Sequence, residues 1–285
     1  MEFKVYKNIY EFFEKTQSFY LSDELVHNLP YGTLKRLVNK ELGNKDASPF
    51  MALIESGEEV ILSLLQTPPH NLIISSKSTS DPEILRYAAE LLIKEGITIP
   101  GVIGSKELAQ SFADVWVELT GQSQQVEMNQ RIYRLDQVLP THKPEGRFAP
   151  AENSHAPLIM KWVKEFCEET GVLYEEDKLE KSVKDSIASK STFLWLDSHG
   201  NPVSMAKEGR KIETGTVVTL VYTPHELRGK GYASACVGEL SQELLKRNTF
   251  CCLYTDLGNR VSNGIYMKIG YEPVCDSIAI KFSGA

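Results

Sequence analysis

From residue 9 to residue 135, and again from residue 155 to residue 282, apolar residues recur in the same succession of periods. Spacings of three and four mark helices, while alternation and short β-branched runs mark strands. In the first half, 9–20 and 22–41 read as helices and 50–54, 60–65 and 71–76 as strands. A helix follows from Asp81 and Pro82 to Gly96, then a strand at 99–103, a helix from Ser105 to Gly121 and a strand at 125–135. The second half gives helices at 155–169 and 176–190, and strands at 192–196, 202–207 and 216–223. It closes with a helix at 231–246, a strand at 250–255, a helix at 261–269 and a strand at 272–282. The order α-α-β-β-β-α-β-α-β, occurring twice, predicts an α/β fold (α+β, mixed sheet) built as two similar domains from a duplication. Two prolines and a glycine among polar residues at 139–146 mark the break, so the expected division is 1–140, a linker at 141–146, and 147–285.

A chain of 285 residues with 42% hydrophobic and 24% charged residues has material for two such cores. Its net charge of −7 lacks the basic field of a nucleic-acid or anionic-lipid binder, so neither partner is expected. No apolar run approaches the ~20 residues of a membrane span, and the first residues lack a signal-peptide core, so a cytoplasmic location is expected. The cysteines Cys167, Cys236, Cys251, Cys252 and Cys275 show no C-x-x-C spacing, which argues against a disulfide framework and against a metal site.

The most informative stretch is 217–234. A β-branched run ends at Pro224, turns through Arg228-Gly229-Lys230-Gly231, and feeds a helix beginning Tyr232-Ala233-Ser234. Helix N-termini leave N–H groups unpaired and carry partial positive charge, so such a loop can hold a phosphate or diphosphate. Gly229 and Gly231 let the backbone approach a ligand, and Arg228 and Lys230 add cationic reach. Glycines alone would equally make a tight connection. Neither a G-x-G-x-x-G nor a G-x-x-x-x-G-K-[ST] pattern is present, which disfavours dinucleotide and nucleotide triphosphate ligands.

Arg228-Gly229-Lys230-Gly231-Tyr232-Ala233 resembles the R/Q-x-x-G-x-G/A signature of the Gcn5-related N-acetyltransferases, the GNAT superfamily. Downstream, Asn259-Arg260-Val261-Ser262-Asn263-Gly264-Ile265-Tyr266-Met267-Lys268-Ile269-Gly270-Tyr271 resembles its second signature, N-x-x-S-N-x-x-Y-x-x-x-G-F/Y. The resemblance covers roughly 147–282 and implies two tandem GNAT-like domains, the second an acetyl-CoA-dependent N-acetyltransferase. By this resemblance the backbone from Gly229 through Lys230, Gly231, Tyr232 and Ala233 to Ser234 would hold the diphosphate of coenzyme A. Val221, Tyr222 and Thr223 would pair with its pantetheine arm, Asn259 and Asn263 would contact the cofactor, and Tyr266 would sit near the sulfur.

Tyr266 is the expected catalytic acid, because a phenol is protonated at neutral pH and can return a proton to a departing thiolate. A backbone N–H at Tyr222 or Thr223 would polarise the carbonyl. Glu208, Glu213 and Asp256 are the carboxylates available as bases, each with a competing reading as a solvated surface charge, and His225 fits loop packing better. Cys251 and Cys252 point to opposite faces of their strand, one to the core and one toward the cofactor. Trp116, Trp162 and Trp195 read as core residues.

In the first half the matching loop, 75–83, has no glycine and places Asp81 and Glu83 at the helix start, where they would repel a diphosphate. That half is expected to be a degenerate copy without the cofactor loop. The acceptor is expected to be a small-molecule or peptide amine, and the chain a pseudo-dimeric monomer or a homodimer. The alternatives are a non-catalytic acyl-CoA sensor or scaffold, or an aminoacyl or O-acyl transfer on the same fold.

Overall fold

The computed structural model describes residues 1–41, 48–77, 81–172 and 174–284. These form two compact units: Met1–Ile132 with Thr255–Gly258 and Val274–Ala285, and Tyr133–Tyr254 with Asn259–Pro273.

The first unit opens on a strand that the periodicity does not reveal, β1 (Glu2–Val5), paired antiparallel with β2 (Phe50–Ser56). Four largely exposed residues carry no alternating pattern to read. Helix α1 (Ile9–Leu21) starts where Asn8 accepts hydrogen bonds from Tyr10 N and Glu11 N. Helix α2 (Asn28–Glu41) begins six residues later than its spacing predicts, because Asp23 Oδ1 accepts from Val26 N and folds 22–27 into turns instead. The sheet continues through β3 (Glu59–Gln66), β4 (Leu72–Ser76), β5 (Gly101–Ser105) and β6 (Ser123–Leu135), with α3 (Pro82–Lys94) and α4 (Lys106–Thr120) packed on it.

The last strand of the chain, β12 (Glu272–Ser283), pairs antiparallel with β5. The first unit's strand order is therefore β1-β2-β3-β4-β5-β12-β6. Leu85 and Leu92 of α3 and Phe112 and Trp116 of α4 share a core with Ile278, Ile280 and Phe282. The division at 140–147 is thus corrected: the C-terminal strand closes the first core, because its buried apolar residues complete that core.

The second unit takes the end of β6, from Tyr133, and runs through β7 (Arg147–Pro150), α5 (Ala156–Thr170), α6 (Glu176–Ala188), β8 (Thr192–Leu196) and β9 (Pro202–Lys211). It continues with β10 (Gly215–Tyr222), α7 (Tyr232–Leu245), β11 (Phe250–Asp256) and α8 (Arg260–Ile269). Its strand order is β6-β11-β10-β9-β8-β7, and β7 is a second short edge strand that the sequence pattern misses. One face buries Leu240 and Leu244 of α7 with Tyr266 and Ile269 of α8. The other buries Ile159, Trp162 and Val163 of α5 with Leu179 and Val183 of α6.

The segment read as a linker packs into this unit. Leu139 N donates to Ile269 O at 2.7 Å, Lys143 pairs with Glu239 of α7, and Gly146 lies against Leu196 and Trp195. No helix among the described residues is long and apolar enough to cross a membrane, and none of their His, Cys, Asp and Glu side chains cluster as a metal site would require.

Candidate active site

Strands β10 and β11 run parallel and pair at Gly215↔Phe250, Thr216↔Cys251 and Val217↔Cys252. Pairing then stops, although β10 continues to Tyr222 and β11 to Asp256. The cause lies in β10. Leu220 has φ +50, a left-handed conformation that costs a non-glycine residue about 1–2 kcal/mol. The register against β9 shifts between Thr219 and Tyr222. This bulge reorders the faces: Val218 and Val221 both point toward α7, while Leu220 and Tyr222 point toward α5. Leu220 and Val221 have no opposite residue in the described ladders on either side. The unpaired backbone therefore lies one to two residues before Tyr222 and Thr223, where the polarising N–H was expected.

The carbonyls just beyond the bulge already have partners. Ser204 Oγ donates to Tyr222 O at 3.1 Å, and Arg228 Nε donates to Thr223 O at 2.9 Å. The Tyr222 hydroxyl donates to Glu165 Oε2 at 2.9 Å, and burial together with that carboxylate pushes the phenol up to about 12.

The glycine loop follows. Gly229 has φ +78 and Gly231 φ +82, and Gly231 occupies the N-cap of α7 with no side chain to cap it. Ala235 N donates to Gly231 O at 3.0 Å, but the six peptide N–H groups of residues 229–234 donate to no described residue. A Cβ on Gly229 would meet nothing within 4 Å, so the space beside it is open. Six consecutive unpaired donors at a helix N-terminus form a cradle for a multiply charged anion. Lys230 is exposed beside it.

Arg228 is bonded within the chain. Its guanidinium donates to both Glu169 carboxylate oxygens at 2.7 Å and lies 5.7 Å from the centre of the Tyr222 ring, so it braces the loop against α5.

In the second signature, Asn259 caps α8 by accepting from Ser262 N at 3.0 Å. Asn263 donates to Asn259 O at 2.8 Å and accepts from the Tyr133 hydroxyl at 2.9 Å. Both asparagines thus hold the start of α8 in place. Tyr266 is buried, with its ring 6.5 Å from Tyr133 and 6.0 Å from Tyr271. Its hydroxyl makes no hydrogen bond to a described residue, and burial raises its pKa well above the usual phenol value.

Of the carboxylates weighed as bases, Glu208 is buried rather than solvated, and is held by Arg247 at 2.8 Å. Asp256 accepts from Gly258 N at 2.6 Å, and Glu213 and His225 are exposed. Cys251 and Cys252 are both fully buried, and each tryptophan sits in a hydrophobic core. Ser204, Glu165 and Glu169 were not legible as site residues, because no local spacing ties them to the loop.

The start of α3 in the first unit contrasts with this. Asp81 accepts from Glu83 N at 3.0 Å, and Pro82 has no N–H to offer. The helix caps itself, although residues 78–80 of that loop lie outside the described residues.

Comparison with known proteins bears on this geometry. A search of curated proteins finds no match. Residues 198–278 match the family model described as "FR47-like protein". A GNAT-family acetyltransferase from Colwellia psychrerythraea superposes with a TM-score of 0.59 at 11% identity, covering 99% of this chain and 100% of that one. A tandem GNAT protein from the clavulanic acid biosynthesis pathway superposes at 0.55 and 11% identity, covering 99% and 98%. The fold is a tandem GNAT fold. A Drosophila protein of known structure shares it at a TM-score of 0.67 and 10% identity over 99% and 98% of the two chains. At these identities the likeness is one of GNAT architecture, and the chemistry has to be argued from side chains.

Proposed function

We propose that this chain is an acetyl-CoA-dependent N-acetyltransferase acting on a primary amine, with its chemistry in the second unit. The observation that carries this reading is the run of unpaired peptide N–H groups at 229–234, placed directly after a bulged strand that has parted from its neighbour. The residues present fit the cofactor. The cradle offers donors for a diphosphate, Lys230 adds charge, and the open ladder at Leu220 and Val221 leaves strand backbone to pair with an amide-bearing arm.

When bound, acetyl-CoA would supply an activated acyl group. Tyr266 would hold its proton at Oη until a thiolate develops, and its raised pKa keeps that proton in place at neutral pH. A backbone N–H at the bulge would take up charge on the carbonyl oxygen. Among the described residues Glu208 is held by Arg247 and Asp256 by Gly258 N, so the acceptor amine is taken to arrive neutral, helped by desolvation. The capped start of α3 supports a first unit without a cofactor role.

Calorimetry with acetyl-CoA on the full chain tests the cofactor, and a thiol-release assay across a panel of amines tests the transfer. Saturable binding below about 1 mM is expected, and its absence overturns the reading. Gly231→Ala is expected to cost about 1–2 kcal/mol of stability through its positive φ and to weaken acetyl-CoA by at least about tenfold. Arg228→Lys keeps the charge but cannot reach Thr223 O and the Glu169 carboxylate at once. It should weaken the cofactor by roughly threefold to tenfold while changing urea stability by less than about 1 kcal/mol. An unchanged affinity would mean that the brace does not order the loop.

A further inference from the structure

The second unit contains a cavity of about 30 Å³ on the α5–α6 side of its sheet, with room for roughly two water molecules or one carboxylate group. Ile159, Val163, Met205 and Leu220 give it apolar walls, and Lys207 is the one charged residue lining it. Lys207 sits on β9, opposite Thr192 of β8 and Thr219 of β10. Among the described residues its ammonium has no ion pair and no hydrogen bond, and burial alone lowers its pKa. The polar pair in the wall is satisfied internally, since Thr192 Oγ1 donates to Ser186 Oγ at 2.9 Å and Ser186 Oγ donates to Val183 O at 2.8 Å. Ser182, also lining the cavity, is exposed and marks a side open to solvent.

Lys207 is only partly buried, so water reaches its ammonium, and an anion entering the recess would gain a charge partner between apolar walls. The recess is also tied to the reaction site, because Leu220 is both a cavity wall and the left-handed residue of the β10 bulge. We propose that this cavity is the acceptor's carboxylate subsite, with Lys207 pairing to the carboxylate of a small amino acid whose amine lies beside the bulge. The inference rests on the acetyltransferase reading for the role of the amine, but the carboxylate site itself is tested independently of it. Lys207 is here a specificity residue, not a catalytic one.

The test uses the full chain and calorimetry with N-acetylglycine as the probe, N-acetylglycinamide as its uncharged counterpart, and acetyl-CoA in a separate titration. N-acetylglycine should bind at least about tenfold more tightly than the amide. Lys207→Met should abolish that difference, and Lys207→Arg should keep part of it. Acetyl-CoA should bind Lys207→Met as it binds the wild type, which also reports that the variant is folded. Equal binding of acid and amide, no binding of either, or an acid preference that survives Lys207→Met each overturns the subsite. Loss of acetyl-CoA binding in the wild type, with the Lys207-dependent acid preference intact, overturns the cofactor reading and leaves the carboxylate site standing.

Discussion

Tyr266→Phe is expected to lower kcat for acetyl transfer by roughly 10²-fold or more while leaving the Kd for acetyl-CoA within about twofold. Phenylalanine keeps the ring and its edge contact with Tyr271, so packing is conserved. Only the hydroxyl is lost, and that hydroxyl has no partner among the described residues, so its removal leaves no buried group stranded. Stability should stay the same or rise slightly. The sign of the pH effect follows from burial: a neutral phenol is favoured in the folded chain, so its folded pKa lies above the unfolded value of 10. The acid stays protonated through neutral pH, and no loss of rate from Tyr266 ionisation is expected up to about pH 10. A pH–rate profile and single-turnover measurements check both statements. An unchanged kcat in Tyr266→Phe would return the residue to a core role and remove it from the mechanism.

Gly146→Ala is expected to be the most destabilising single-methyl change, at about 3 kcal/mol or more. Gly146 has φ +136, which side-chain-bearing residues rarely adopt. A Cβ there would lie 2.1 Å from Leu196 O and 2.8 Å from Trp195 Nε1. The first of these is backbone within a sheet, where β7 pairs Arg147 with Leu196, so it cannot move aside without breaking the ladder. For a unit of this size such a loss corresponds to a fall in Tm of about 10 °C. Glu145→Ala, at an exposed neighbouring position, should stay within about 0.5 kcal/mol. Urea unfolding of both variants checks this. A drop under about 1 kcal/mol for Gly146→Ala would mean that the segment lifts off without cost and behaves as the linker its composition suggests.

What could be read directly was local. Pro82 with Asp81, Asn259 at the start of α8, and Gly121, Gly171 and Gly270 at helix ends all act within one turn of where they stand, and the helices stop or start there. The two edge strands escaped because four residues, none of them buried, give no period. The start of α2 escaped because the turn at Asp23 competes with helix at a spacing that apolar periodicity does not register.

Around the candidate site, the order of strand, glycine loop and helix and the capped start of α8 were legible because each is set by contiguous residues. The pairing of Arg228 was not legible, for the opposite reason. Its partner Glu169 lies 59 positions away, and only folding decides whether a guanidinium faces a ligand or a carboxylate of its own chain.

Apart from β1 and β7, the sequence alone determined the succession of helices and strands, the positive-φ turn at Gly229 and Gly231, and the lack of glycine in the segment before α3, since these depend on neighbouring residues. Tertiary structure alone decided that Val274–Ala285 completes the first unit and Tyr133–Tyr254 the second, that Leu220 is left-handed, and that Lys207 has no counter-charge among the described residues. Those outcomes depend on which distant surfaces bury one another, and burial acts on area and charge with no regard for distance along the chain.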